Sequence, residues 1–502
     1  MSVELIEYAL EELGVQEKNA VVGGPFGSNL VSKDYVNAGV PVIRGQNMGG
    51  RWVSGEFAHV SESKAKQLLA NTARPGDLVF TQRGTLGQVS IVPSSSYKKY
   101  IVSQSQMKIT VNPVLADVTF LYYYFSSPEQ VEYVKTNAIQ TGVPHTNLGI
   151  LRKTPVHLPS LCAQKAIVKV LSGLDDMIEL NHQINQTLEQ MAQALFKNWF
   201  VDFEPVKAKI TVLEAGGSEE DALLAAMQVI AGDTQECANV AKGSAPGAAT
   251  GGNLARLQAE QPEQPEQYAE LRATAELFPS AMQDSELGEI PEGWNLGALV
   301  DICNFQNGYA FKSKGWADSG CAVVKIGSVK PGFVDLRSCS YVEENTLAGL
   351  ERFELFAGDL LVGMTGYPGE TGLVPITDAR IFLNQRVGRL KAKQQELNAL
   401  IYCNARAPEF KQYVEGQAHG SAQANVSGKA ISQYPVVIPC EAVIARFSEV
   451  VSPLIRQKLR LNSESNTLAA TRDTLLPKLL SGELSTTEAE TQLTAAEETA
   501  SV

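Results

Sequence analysis

The chain has 502 residues, 44% of them hydrophobic and 19% charged, with a net charge of -13. That is the make-up of a globular protein long enough for about three domains. No apolar run reaches the ~18 residues a membrane span needs, and the opening MSVELIEYALEELG carries acids where a secretion signal carries bases, so a cytoplasmic protein without a membrane partner is expected. Seven cysteines with no CxxC pair, beside five histidines, indicate neither a disulfide framework nor a zinc site.

The negative charge is concentrated in two places. In residues 211–290 acids outnumber bases severalfold, and residues 483–502 hold five Glu and no base. The rest of the chain is slightly basic, so its acidity does not exclude a nucleic-acid partner.

After a short helical opening that stops at Gly14, residues up to 160 read as a mixed domain of short strands broken by Gly and Pro. PVIRG (41–45), GDLVF (76–80), VSIVP (89–93) and QMKITV (106–111) are strand-like, and 121–137 is helical. A long helix follows over 161–204. Ile167, Leu174, Asn181, Leu188 and Leu195 recur every seven residues, flanked by Val170, Met177, Ile184 and Met191. This is a coiled-coil seam. Residues 205–284 read as an acidic Gly/Ala/Pro-rich linker with one short helix opened by the capping box at Ser218, kept solvated by its charge. A second mixed domain spans 285–440 and a second long helix 441–482, where Phe447, Leu454, Leu461, Leu468 and Leu475 repeat the first seam at an offset of 280. Pro453 inside this helix predicts a kink or a late start. Residues 483–502 read as a disordered tail.

The two mixed domains are copies. GDLVFTQRGTLGQVSIVP (76–93) falls on GDLLVGMTGYPGETGLVP (358–375), Ser103-Gln104 on Asn384-Gln385, and PVHLP (155–159) on PVVIP (435–439). Glycines, prolines and aliphatic residues are kept. Polar loop residues change: Gln82-Arg83 becomes Met364-Thr365, and GVPHTNLG (142–149) becomes GSAQANVSG (420–428). Two binding sites of different specificity on one scaffold would look like this.

Catalytic motifs are missing. The sequence holds no GxxxxGK[ST] phosphate loop, no [DN]PP[YF] tetrad for a flipped adenine, no HExxH and no GxSxG, and its histidines are scattered. Polar side chains on glycine-rich loops favour binding, because Arg, Lys, Gln and Asn can hold base edges or phosphates. In the first domain these are Arg44, Gln46, Asn47, Arg51, Gln82, Arg83, Thr85, Lys98, Lys99, His145, Thr146 and Asn147. In the second they are Lys312, Lys314, Lys325, Ser328, Lys330, Thr365, Tyr367, Arg386, Ser421, Gln423 and Asn425. The Ser/Asn-Gln dipeptide, present in both copies, points instead to a shared structural hydrogen bond.

With QALFKNWFVDFEPVKAK (193–209), DSELGEIPEGW (284–294) and LLPKLLSGEL (475–484), this duplicated order resembles the specificity subunit of Type I restriction-modification enzymes over nearly the whole chain. The resemblance implies an α+β fold with pseudo-two-fold symmetry, in which two target-recognition domains are separated by two long antiparallel coiled-coil helices. Each domain would read one half of a gapped target in double-stranded DNA. The chain would catalyse nothing and carry no cofactor. S-adenosylmethionine would sit on two methyltransferase subunits that methylate adenine, and ATP and Mg2+ on endonuclease/translocase subunits. Asn181, which stands where the second helix has Leu461, would fix the register of the seam. Two other readings are a self-contained restriction-modification enzyme, for which the motifs are missing, and a coiled-coil scaffold with two domains for non-DNA ligands.

Overall fold

The computed structural model describes residues 5–94, 97–140, 144–241, 265–286, 288–418 and 424–492. They form two compact units, one of residues 1–177 and 468–502, the other of residues 178–467. The unit boundary cuts through both long helices, so each unit holds one mixed domain and a piece of each helix.

In the first unit the mixed domain has two small sheets. One has the order Tyr35–Val36, Ala58–Val60, Val40–Ile43, Tyr100–Val102, Thr72–Ala73, and the other Val21–Gly23, Gln106–Ile109, Leu78–Thr81, Val89–Ile91. The second unit repeats both orders. Its five-stranded sheet runs Trp316–Ala317, Ser340–Val342, Cys321–Val324, Ile381–Leu383, Glu354–Leu355. Its six-stranded sheet runs Cys303–Asn307, Val387–Ala392, Leu360–Gly363, Thr371–Leu373, Gly332–Val334, Val329–Lys330. The last two strands are an addition at one edge.

The repeated proline strand closes each domain onto its long helix. Pro155–Leu158 pairs antiparallel with Ile6–Ala9, and Pro435–Ile438 with Asn295–Ala298. Alternation explains the first pairing: Val156 and Leu158 are buried while His157 between them faces out.

The first long helix is Leu161–Phe200 and the second Glu441–Ser481. In the first unit Ile167, Val170, Leu171 and Leu174 share a core with Leu475, Leu476 and Leu479. In the second unit Leu188, Met191, Leu195 and Phe196 share one with Phe447, Val451, Leu454 and Leu461. Residue numbers on the two helices run in opposite senses within each unit. Asp175 meets Arg472 in the first, and Asn185 meets Asn462 and Phe200 meets Phe447 in the second. The helices are antiparallel in both.

Four features differ from the sequence-based expectation. The second helix runs through Pro453 without interruption. The register hydrogen bond joins Asn185 Nδ2 to Asn462 Oδ1 at 2.7 Å, whereas the buried Asn181 Nδ2 finds no partner.

The stretch expected to be a solvated linker is largely helical, with Glu204–Glu214, Glu219–Ala241 and Pro265–Glu276. Val206, Leu224, Met227, Ile230, Ala275 and Phe278 bury against Trp199 and Phe203. Periodic apolar residues there outweigh the acids, which are exposed in Glu204–Glu214, at Glu219, Glu220 and Asp221 and in Pro265–Glu276, while Lys209 is buried on Phe278 O at 2.5 Å; residues 242–264 lie outside the described residues. Finally, the tail begins with a helical turn over 486–492 that buries Ala489 against the first unit's core, while 493–502 lie outside the described residues.

Packing also explains two sequence signatures. Phe203 adopts a left-handed conformation with φ 55°, and Pro205 starts the next helix. This turn brings Phe200 to 5.8 Å and Phe203 to 5.9 Å from Trp294, the tryptophan of EIPEGW. Gly482, at φ 73°, ends the second helix after LLPKLL. Among the described residues no helix is long and apolar enough to cross a membrane.

Candidate nucleic-acid interface

Four loops of the first domain are tied edge to edge by backbone hydrogen bonds. Ser103 N donates to Ile43 O at 3.0 Å, Gln82 N to Ser105 O at 2.7 Å, and Thr146 N to Gln82 O at 3.0 Å. The loops at 44–47, 103–106, 82–87 and 144–147 therefore form one continuous edge. The second domain repeats the chain of bonds: Asn384 N to Val324 O at 3.3 Å, Met364 N to Arg386 O at 3.0 Å, and Val426 N to Met364 O at 2.9 Å. An antiparallel bridge joins Arg83 to His145 in one domain and Thr365 to Asn425 in the other.

A glycine makes this close approach possible in each copy. A Cβ on Gly24 would lie 1.9 Å from Ser103 O, and one on Gly308 would lie 2.1 Å from Asn384 O. Any side chain would push the strand away. In the first copy the repeated dipeptide is structural, since Gln104 Nε2 donates to Gly27 O at 2.6 Å and Leu30 O at 3.0 Å; in the second, Asn384 is buried and Gln385, the counterpart of Gln104, is exposed.

The sequence-derived candidates divide along this frame. In the first domain Gln46, Arg83 and Thr85 are exposed on the edge, Arg44 and Gln82 half-buried there. Asn47 is 1% exposed, with its amide donating to Ser54 O and Glu56 O and its carbonyl accepting Arg44 N. It braces the loop. Thr146 is buried, and Asn147 caps the helix Leu148–Arg152 by accepting Ile150 N at 2.9 Å. Lys98 and Lys99 precede the strand whose far end carries the edge, and Lys99 pairs with Glu62 at 2.6 Å. Arg51 also lies away from the edge, paired with Asp176 on the long helix. Neither Lys98, Lys99 nor Arg51 joins the loop cluster.

In the second domain Lys312, Lys314, Tyr367, Arg386 and Asn425 are exposed. Lys325 stands over the Trp316 ring at 4.1 Å. Ser328 is buried on Ser338 O, Thr365 is buried on Asn425 Oδ1 at 2.6 Å, and Lys330 is half-buried in its edge strand. Ser421 and Gln423 lie outside the described residues.

One edge residue escaped the sequence reading. Phe26 is 81% exposed on the loop whose carbonyls Gln104 holds, while the second domain presents Tyr367, 70% exposed, from a different loop. The only sequence signal was an aromatic residue set among glycines in GGPFGSN. The edge thus combines exposed cations, amides and one aromatic residue on a rigid frame. Such a surface can hold phosphates and read base edges.

The family model described as Type I restriction modification DNA specificity domain matches residues 28–190 and 291–467. The chain belongs to that family. The matched segments contain the four hydrogen-bonded loops of each edge and part of each long helix. A curated relative, the Type I restriction enzyme HindI specificity subunit of Haemophilus influenzae, is 29% identical over 456 residues, covering 87% of this chain and 93% of its own. The MjaIX specificity subunit of Methanocaldococcus jannaschii is 21% identical over 478 residues, covering 94% and 92%. A crystal structure of the Type I restriction-modification S subunit from M. genitalium aligns over 95% of this chain and 96% of its own, at 14% identity and a TM-score of 0.46. As a member of the specificity family, the chain serves DNA sequence recognition in a Type I restriction-modification system.

Proposed function

We propose that this specificity chain reads a bipartite, gapped target in double-stranded DNA, one half with each loop edge, and that the two long helices set the length of the gap. A helix of 40 residues is about 60 Å long, more than one turn of duplex. The outer helix faces would dock two methyltransferase subunits, which bring S-adenosylmethionine and methylate adenine. Endonuclease/translocase subunits using ATP and Mg2+ would join for cleavage, and this chain would supply the address without chemistry of its own. The observation that carries this reading is the duplicated hydrogen-bonded loop edge, identical in backbone and different in exposed side chains.

Replacing residues 1–160 with the corresponding domain of another family member is the direct test. Methylated adenines mapped genome-wide are expected to show a new sequence in one half of the motif and the old one in the other. A change in both halves, or in neither, would overturn the assignment of one half-site to each domain.

A further inference from the structure

Each unit contains a charged cluster used neither by the apolar seam nor by the reading edge. In the first unit the Tyr123 hydroxyl, on the helix Val118–Ser126, donates to Asp175 Oδ2 at 2.6 Å, and Arg472 Nη1 donates to Asp175 Oδ1 at 2.6 Å. The neighbouring Asp176 takes Arg51, whose guanidinium also reaches the Tyr123 hydroxyl at 3.5 Å. In the second unit Glu189 Oε2 accepts both the Tyr402 hydroxyl and the Lys458 ammonium, and Glu189 Oε1 accepts Arg406 Nε at 3.0 Å. Lys458 Nζ donates to Tyr402 at 2.8 Å.

The two clusters share one arrangement. A carboxylate on the first long helix receives a phenol from the mixed domain and a cation from the second long helix. Duplication does not account for this, because the offset of 280 carries Asp175 to Ile455 and Glu189 to Ala469. The arrangement is reached twice with residues that are not copies of each other.

The second cluster also leads towards the reading edge of its own unit; in the first, Arg51 follows Gln46 and Asn47 closely in sequence but lies away from the edge. Arg406 approaches Glu370 at 3.6 Å, and Glu370 closes the turn of Tyr367, since its N donates to Tyr367 O at 3.4 Å and its O accepts Gly363 N at 2.8 Å.

We infer that Tyr123 and Tyr402 are positioning residues that fix the tilt of each recognition domain on its helix pair, and with it the gap at which a target is accepted. The inference rests on the DNA-reading function proposed above. Apolar burial is non-directional, so a joint made only of side chains such as Leu171 and Leu454 tolerates sliding. Hydrogen bonds weaken steeply away from linearity, and a half-buried carboxylate that loses a donor is left partly under-solvated, so these joints favour one geometry. Burial, with the adjacent carboxylate adding to it, pushes both phenols above their ordinary range. Both therefore remain protonated donors at neutral pH.

The test uses the full-length chain with its methyltransferase subunits and synthetic duplexes that share both half-sites but differ in gap length by one base pair either way. With Tyr402→Phe, Tyr123→Phe and the double variant, the half-site sequences are expected to stay unchanged. Discrimination between the native gap and its neighbours is expected to fall, by about tenfold in the double variant. Methylation that drops equally at every gap, or gap discrimination equal to wild type, would overturn the inference. A wild-type complex with no sequence-selective methylation would instead sink the DNA-reading proposal. Both substitutions keep the ring that fills the core. Glu189→Asp, which retains every charge but shortens the reach, reports the same quantity should Tyr402→Phe fail to fold.

Discussion

The two recognition domains share a skeleton and differ in nearly everything that skeleton displays. Both tie four loops into one edge with equivalent backbone hydrogen bonds, and both rely on a glycine pressed against a carbonyl at the same place. The first presents Gln46, Arg83 and Phe26, the second Arg386, Lys312 and Tyr367, and the aromatic residue comes from non-equivalent loops. Backbone bonds can be copied without constraining side chains, whereas exposed side chains carry no packing and are free to change. A scaffold built this way can change what it reads without refolding.

The sharpest way to break the comparison is at the shared glycines. Gly24→Ala and Gly308→Ala each force a Cβ into a backbone carbonyl and are expected to cost about 1–3 kcal/mol or more, by equal amounts in urea unfolding. If one were tolerated and the other not, the two edges would not be equivalent.

A second comparison concerns pH. Burial alone would raise the Glu189 carboxyl, but Lys458 and Arg406 beside it, with the hydroxyl of Tyr402, hold it below the ordinary glutamate value of 4.5. A depressed folded value stabilises above the unfolded value and is lost as pH falls through the folded one. Thermal unfolding followed below pH 4.5 should therefore show a steeper acid loss in wild type than in Glu189→Gln. Parallel curves would remove Glu189 from the acid transition.

The smallest effect lies in the seam. Asn185→Ala breaks the bond to Asn462 and is expected to cost about 1 kcal/mol. Asn181→Leu, which removes an unpartnered buried amide, is expected to be neutral or stabilising by about 1 kcal/mol. Chemical denaturation of both variants would reverse the register assignment if Asn181 proved the costlier site.

Much of the fold was legible because it is written in local patterns. The seven-residue spacing from Ile167 to Leu195 fixes a helix face, and the alternation in PVHLP fixes a strand face. The helical insertion was obscured because its acids dominate composition while Met227, Ile230 and Phe278, which decide packing, are few. Of the candidate interface, the loops were legible and the individual roles were not. Asn47 and Asn425 are the same residue type, each on a loop of its edge, yet Asn47 is buried on nearby carbonyls while Asn425 is exposed and accepts a hydrogen bond from Thr365.

What the sequence alone determined was the duplication, the helices and the glycine framework, since periodicity and backbone freedom are properties of neighbouring residues. The tertiary structure decided the antiparallel register, the choice of Asn185 over Asn181, and which polar side chains remain available. Those depend on partners such as Glu189 and Lys458, Tyr123 and Asp175, or Gln104 and Gly27, which are far apart in the chain. A hydrogen bond is set by where the chain returns, and only folding specifies that.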